Sequence, residues 1–397
     1  MQITFVSNYI NHHQLPFCRA MCQMGGDVDF HFVQTMPMEE KRVNMGWAVD
    51  EKALDFLVLY YEDRERAEKL ILDSDVVLFG WTEGEISHLE EKRLSSGRLS
   101  FRVSERIYRE GQWKFISPKG LINKYHEHFV YRNKPVYLLC TGAYVASDFE
   151  LIKSYPGKKL KWGYFPDVEC ASKVKEITEE DSIKILWAGR LINLKHPEYA
   201  LELARSLKAK GINFNLDIIG DGPMKKELED KVTALGLTDC VTLLGGKKPA
   251  EVHEAMAGAD IFLFTSNYLE GWGAVVNEAM QCGCAVVASL EAGAVPFLIE
   301  DGVNGLTYKD GDLEEFKKKV ADLAADKAKV TRLGRAAQET INNKWNAKNA
   351  ASELIRFCKE YYENGNPSPS LEGPMSIARV IKAPGFSRTL KEKNHLE

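Results

Sequence analysis

Two acids, Glu270 and Glu278, bracket the stretch "GWGAVVN" inside "FTSNYLEGWGAVVNEAMQCGCAVVAS", residues 264–289. The stretch is otherwise apolar or small and suited to an interior. A carboxylate is a strong acceptor for hydroxyl groups, and one placed in an apolar helix must find a partner or shift its pKa. Gly271 and Gly273 flank Trp272, and glycines let backbone amides approach a ligand closely. Reading "IFLFT" as a strand and Ala274 as a helix start puts Glu270, Gly271, Trp272 and Gly273 in the loop between them. The first amides of that helix would be unpaired and would favour a phosphate. Acids on either side of an amide-rich helix start suit a nucleotide sugar. One acid would serve the transferred sugar and the other the ribose, with the diphosphate between. A plainer reading is that Glu278 pairs with a lysine and Glu270 only complements the helix dipole.

A second segment, "ILWAGRLINLKHPEYAL", ends a strand at Ala188 and turns at Gly189. It carries Arg190 and Lys195 before a helix opened by Pro197. Arginine can grip phosphate oxygens through two N–H groups, and lysine adds a compact charge. Together they would neutralise a diphosphate leaving group. A third, "LDIIGDGPMKKELE", lacks the third glycine of a dinucleotide turn, which counts against an NAD-dependent dehydrogenase. Asp221 is expected to cap the helix after Pro223. "DSD" at 73–75 reads as a helix-to-strand turn, not a metal site.

These segments need a scaffold. Short apolar runs alternate with helical patterns: "QITFV", "VDFHFV", "LDFLVLY", "DVVLFG", "LSFRVS", "PVYLLC" and "LKWGYF", then "IKILWAG", "FNLDIIG", "VTLLG", "IFLFT" and "AVVAS". Continuous apolar strands separated by helices imply parallel sheets covered on both faces. The expected fold class is α/β, with two Rossmann-like domains facing a central cleft. The expected divisions are a first domain at 1–164, a polar linker at 165–182 and a second domain at 183–345. A tail from about 346 to 397 is a candidate for packing back on the first domain. In such sheets ligands sit at the carboxyl ends of strands, which unites the two loops above.

The net charge of −5 argues against a nucleic-acid partner. No apolar run is long enough to span a membrane. The start does not read as a signal peptide. The eight cysteines, including "CRAMC" and "CGC", read as reduced core thiols of a cytosolic protein. Residues 89–135 hold eleven Lys/Arg against five acids, a local net of +6, with seven aromatics interleaved. Such a stretch could dock on anionic lipid near a lipid-diphosphate acceptor, at the inner face of the cell membrane, or be a solvated surface with its aromatics in the core.

"EGWGAVVNEAM" resembles the Glu-x7-Glu motif of glycosyltransferase family 4, whose members are retaining enzymes of GT-B fold. "AGRLINLKH", "IIGDGPMKKELE" and "GGKKPAEVHEAMAGADIFLFTS" occur in that family's order. "SNYINHHQLPFCRAM", "FRVSERIYREG" and "KWGYFP" resemble a bacterial surface-polysaccharide subgroup. The resemblance implies transfer of a sugar from a nucleoside diphosphate, with UDP as the family-level expectation, to a glycan or lipid-linked acceptor. It implies no metal and no cofactor beyond the donor substrate. Arg190 and Lys195 would hold the diphosphate, Glu278 the ribose and Glu270 the sugar. The amides of Gly273, Ala274 and Val275 would cover sugar and phosphate, and Leu244 and Gly245 would border the base. Where many relatives carry a donor-contacting histidine, this chain has Ser104, Glu105 and Arg106. His12 and His13 follow the first strand; either could contact acceptor or sugar, or be a helix-cap or surface histidine. A sugar-nucleotide epimerase of the same fold and a non-catalytic nucleotide-sugar-binding protein are the alternatives.

Overall fold

The computed structural model describes residues 1–24, 26–44, 49–82, 84–168, 176–178, 180–309 and 311–384. They form two compact units: Met1–Pro166 with the chain from Trp345 onward, and Asp167–Lys344. Part of the expected linker (169–175 and 179) and the last part of the expected tail (385–397) lie outside the described residues.

The first unit is a seven-stranded sheet of β1 (Gln2–Ser7), β2 (Asp29–Gln34), β3 (Leu57–Leu59), β4 (Val76–Phe79), β5 (Ser100–Ser104), β6 (Val136–Thr141) and β7 (Lys159–Trp162). Its order is β3-β2-β1-β4-β5-β6-β7, and every pairing is parallel. The central strands carry helices on both faces, so β4 (VVLF) is buried at every residue. The helix Ala347–Asn364 belongs to this unit and sets Phe357 against Phe101 and Tyr137, at 5.9 and 5.0 Å. The chain then runs antiparallel to β7. Lys161 N–H donates to Ser376 O, and the N–H groups of Met375 and Ala378 donate to Lys161 O and Lys159 O. That segment covers an otherwise open sheet edge.

The second unit repeats the plan with β8 (Ile183–Ala188), β9 (Phe214–Ile219), β10 (Val241–Gly245), β11 (Ile261–Phe264), β12 (Ala285–Ser289) and β13 (Leu306–Tyr308), in the order β10-β9-β8-β11-β12-β13. All pairings are again parallel. One face of the sheet buries Ile185, Trp187, Leu216, Ile218 and Leu263 against the helix Glu198–Ala209 and against Phe316 and Val320 of the helix Leu313–Ala324. Strand order reverses at β8 and β11, which lie side by side. This is the switch point at which an open parallel sheet leaves a crevice beyond its carboxyl edge.

The basic stretch 89–135 is not one surface. Arg93 is fully buried. It donates to the carbonyls of Leu72, Ser74, Asp75 and Leu99 and to Ser100 Oγ, tying a helix end to the starts of β4 and β5. Burial pushes its pKa down to about 10. Arg102 is internal as well, paired with Glu90 at 2.8 Å. Phe101, Tyr108 and Tyr131 are core residues. The cysteine expectation is also corrected. Cys22 is exposed and Cys282 is disulfide-bonded, whereas Cys18, Cys140, Cys284 and Cys358 are buried free thiols. "DSD" lies in the turn between the helix Arg64–Asp73 and β4. No helix among the described residues is long and apolar enough to cross a membrane.

Beside Arg102 lies a group with a measurable pH signature. His128 Nδ1 is 2.8 Å from Arg102 Nη1 and 3.0 Å from the Tyr155 hydroxyl, so that nitrogen must be bare to accept from the guanidinium. Burial, then the charges of Arg102 and Lys124, hold the imidazole well below its usual pKa. Glu127 Oε2, 3.6 Å from Nε2, is the opposing charge. The unfolded chain therefore binds the proton first as pH falls. The neutral-histidine contribution is complete above the unfolded value of about 6.5 and declines below it. Thermal melts across acid pH should show this decline, and His128→Gln should flatten it.

Candidate active site

The site is built from loops at the carboxyl edge of the second sheet. After β8 the chain turns at Gly189, whose N–H donates to Ile219 O. Arg190 follows, exposed and with no ion pair among the described residues. A short turn, Asn193–Lys195, presents Lys195, and His196 then adopts a left-handed conformation with φ 46°. His196 is held by Glu198 at 2.7 Å and approached by the Asn267 amide at 3.3 Å. The Lys195 carbonyl accepts from Thr265 Oγ1, which itself accepts from the buried Trp187 indole N–H. Asn267 N–H donates to Leu194 O. The loops after β8 and β11 are thus fastened together by one backbone bond and by the Thr265 and Asn267 side chains.

That fastening brings Lys195 and Glu270 into an ion pair, Nζ to Oε2 2.5 Å, each side chain 15% exposed. Lys195 Nζ also lies 6.0 Å from the Phe264 ring centroid. Gly273 has φ +89°, and a Cβ there would sit 2.6 Å from Phe264 Cζ, so the turn into the helix Val275–Gln281 requires glycine. Ala274 is the N-cap and supplies no side-chain cap; the Val276 N–H donates to Gly273 O, and no side chain caps the amide of Val275 among the described residues. Trp272 does not line the surface. Its ring is buried and its indole N–H donates to Asn277 Oδ1 at 2.8 Å, leaving only its backbone in the loop. The Gly271 and Trp272 carbonyls accept from the N–H groups of Gly293 and Ala294. Glu278 is one turn into the helix, mostly buried, with His253 Nε2 3.8 Å from its Oε2. Exposed Leu244 and half-buried Gly245 end β10 on the same edge.

Asp221 does not cap a helix. The following helix, Lys225–Ala234, has Met224 at its N-cap, and Asp221 Oδ1 instead accepts the Gly222 N–H. The reason is the turn itself. A Cβ on Gly220 would lie 1.9 Å from Gly189 O, and one on Gly222 would lie 2.5 Å from Leu191 O. The two glycines exist to press this turn against the 189–191 loop, and Asp221 O accepts Leu191 N–H to complete the contact.

In the first unit the candidates stand on separate supports. Asn11, not either histidine, accepts the amides of His13 and Gln14 ahead of the helix Leu15–Met24. The His12 and His13 rings are 3.8 Å apart, and the Tyr164 ring lies near both His13 (5.6 Å) and Trp81 (5.9 Å). Tyr164 donates to Glu105 Oε1 at 3.2 Å; burial and that carboxylate push its phenol well above the usual range. Arg106 turns inward to the fully buried Asp148, with bonds of 3.3 and 3.2 Å. Asp148 also accepts from Tyr108 N–H and the Gln112 amide, so Arg106 braces the loop after β5. Trp81 and Tyr164 were missed in the sequence. Their only signal is position just after β4 and β7, Tyr164 falling within the run "LKWGYF".

The family comparison falls on the unit that carries the ion pair. Residues 171–340 match the family model of glycosyl transferases group 1. Those residues lie within the second unit. The amylovoran biosynthesis glycosyltransferase AmsK of Erwinia amylovora is 32% identical over 180 residues, 44% of each chain. The sulfoquinovosyl transferase SQD2 of Arabidopsis thaliana is 35% identical over 154 residues, 38% of this chain and 29% of that one. The chain spans less than half the length of these curated relatives. Among solved structures, Anabaena HepE in complex with UDP aligns over 89% of this chain and 99% of its own, with a TM-score of 0.64 and 15% identity. The lipopolysaccharide outer core galactosyltransferase WaaB aligns over 86% and 95%, with a TM-score of 0.61 and 15% identity. The fold, two parallel-sheet Rossmann-like α/β units, is GT-B.

Proposed function

We propose that this chain is a retaining glycosyltransferase that moves a sugar from a nucleoside diphosphate to a hydroxyl of a glycan or lipid-linked glycan. The observation that carries the reading is the Lys195–Glu270 ion pair at the β8/β11 switch point, beside Arg190 and an uncapped first helical turn. A pyrophosphate needs cations and oriented amides, and a sugar needs carboxylate acceptors. Both occur within two loops fastened to each other.

The chemistry follows from these groups. The bond from the anomeric carbon to the diphosphate oxygen breaks, and a bond from the acceptor oxygen to that carbon forms on the same face. The acceptor proton passes to the leaving diphosphate. Negative charge grows on that oxygen, and Lys195, Arg190 and the amides of Ala274 and Val275 meet it with fixed positive charge. Glu270, already bound to a lysine, is a poor nucleophile and suits hydroxyl recognition. Glu278 serves the ribose, and Leu244 and Gly245 border the base. The reaction needs no metal in this reading, since the side-chain cations take that electrostatic role.

UDP is the first donor base to test, because HepE, a fold neighbour, is crystallised with UDP and with UDP-glucose. A thermal-shift screen of UDP-, GDP- and ADP-sugars should find one base class that raises the melting temperature. Saturation at one hundred times Kd adds about 2.7 kcal/mol to stability, roughly 5–10 °C for a unit of this size. Proton NMR of the product formed on an added glycan should then show the donor's anomeric configuration. Absence of any shift with the whole panel would end the proposal, and an inverted product would end its stereochemical part.

A further inference from the structure

His196 stands where the turn Asn193–Lys195 runs into the helix Glu198–Ala209. Its φ of 46° and ψ of 54° are left-handed, a conformation that strains a side chain and not glycine. A turn that needed only this backbone would be better served by glycine. The imidazole, however, is engaged through both nitrogens. Nδ1 lies 2.7 Å from Glu198 Oε1, and Nε2 lies 3.3 Å from Asn267 Nδ2. The ring also stacks on Tyr199, with centroids 4.8 Å apart.

These contacts fix where the proton sits. Asn267 Oδ1 accepts the Leu269 N–H at 3.0 Å, which turns the amide nitrogen toward His196. An amide nitrogen only donates, so Nε2 must be bare, and the ring proton is on Nδ1, donated to the Glu198 carboxylate. Glu198 Oε2 is buried with no hydrogen-bond partner among the described residues. An unsatisfied buried oxygen lowers stability, which points to a reason for this carboxylate other than folding.

Asn267 is the other end of this latch. Its N–H donates to Leu194 O, and its O accepts the Glu270 N–H. The turn that ends in Glu270 therefore hangs on Asn267. Asn267 in turn is tied to the segment carrying Lys195 by one main-chain bond and by the imidazole. We infer that His196, as its Nδ1–H tautomer, is the positioning residue of the Lys195–Glu270 pair. It acts through Asn267: the ring, fixed by Glu198 and Tyr199, sets the distance between the two turns, and the strained backbone at 196 is kept for the sake of the ring. The inference deepens the proposed transfer reaction and rests on it for the turnover readout.

The test compares the full chain with His196→Gly and His196→Gln. Glycine relieves the left-handed backbone, so it should melt no lower than the glutamine variant. Turnover should run the other way. With the UDP-, GDP- or ADP-sugar that the thermal-shift panel selects, His196→Gly should lower kcat by roughly 10- to 100-fold and change the donor KM less. Glutamine can place an oxygen near the position of Nε2 and should recover on the order of threefold, the worth of one neutral hydrogen bond. In the chain labelled with 15N-histidine, the resonances absent from His196→Gly should report a protonated Nδ1 and a bare Nε2 in the wild type. A crystal of the glycine variant should show the 267–270 turn displaced. A bare Nδ1 overturns the inference. So does an unmoved turn, a glycine variant with wild-type kcat, or a kcat that falls in step with melting temperature. A wild type that transfers no sugar ends the proposed reaction instead, and the imidazole resonances and the variant crystal still decide the latch.

Discussion

Lys195→Ala is expected to lower kcat by about 10²–10³-fold, with a smaller change in the donor KM. In the proposed reaction the ammonium would compensate charge that grows as the sugar–phosphate bond breaks, so its loss should weigh more on the transition state than on the bound donor. It also leaves Glu270 without its cation in a setting only 15% exposed, and that costs up to about 3 kcal/mol of stability. Glu270→Gln separates the two effects. The amide keeps the shape and can still accept from Lys195, so the melting temperature should hold while turnover falls. Measuring kcat, KM and thermal unfolding for both variants decides the matter. Two folded variants that turn over at wild-type rates would remove the pair from the mechanism.

Gly220→Ala should be the most damaging single methyl in the second unit. The added Cβ would lie 1.9 Å from Gly189 O, at a residue with φ +159°. The obstacle is backbone, so no rotamer change relieves it. The turn is held from several sides: Gly220 N–H donates to Gly245 O, Gly189 N–H to Ile219 O and Met224 N–H to Leu191 O. A loss of about 3 kcal/mol or more is expected, with a fall of at least about 6 °C in melting temperature. Donor affinity should fall too, because the displaced segment carries Arg190. Gly258→Ala is the control. It ends a helix with nothing within 4 Å and no positive φ, so it should be neutral or slightly stabilising. Equal melting temperatures for the two variants would refute the packing argument.

Most of the strands were legible because they are buried on both faces; the edge strand β10, with Thr242 and Leu244 exposed, is an exception. Every apolar run quoted from the sequence lies on one of the strands β1–β12. β13 escaped notice because "LTY" is three residues long, too short for a pattern. The site loops were legible as loops, through Gly189, Gly271 and Gly273. That Lys195 reaches Glu270 was not, since the pairing depends on β8 lying beside β11. The errors share that origin. Arg93 and Arg106 look like surface charge, yet their partners are carbonyls and a carboxylate brought in from other elements. Asp221 stands where a cap would, but the flanking glycines are claimed by a neighbouring turn. Local pattern identifies an element; which residues it meets is a property of the sheet order.

Because the helix Ala347–Asn364 and the strand-edge segment around Ser376 return to the first unit, the second is a single uninterrupted insertion, entered near Asp167 and left near Lys344. Such a cassette has only two junctions and keeps its own core. Exchange of that one segment would therefore replace the whole unit without disturbing the sheet that holds both flanking segments, a route that a split second unit would close.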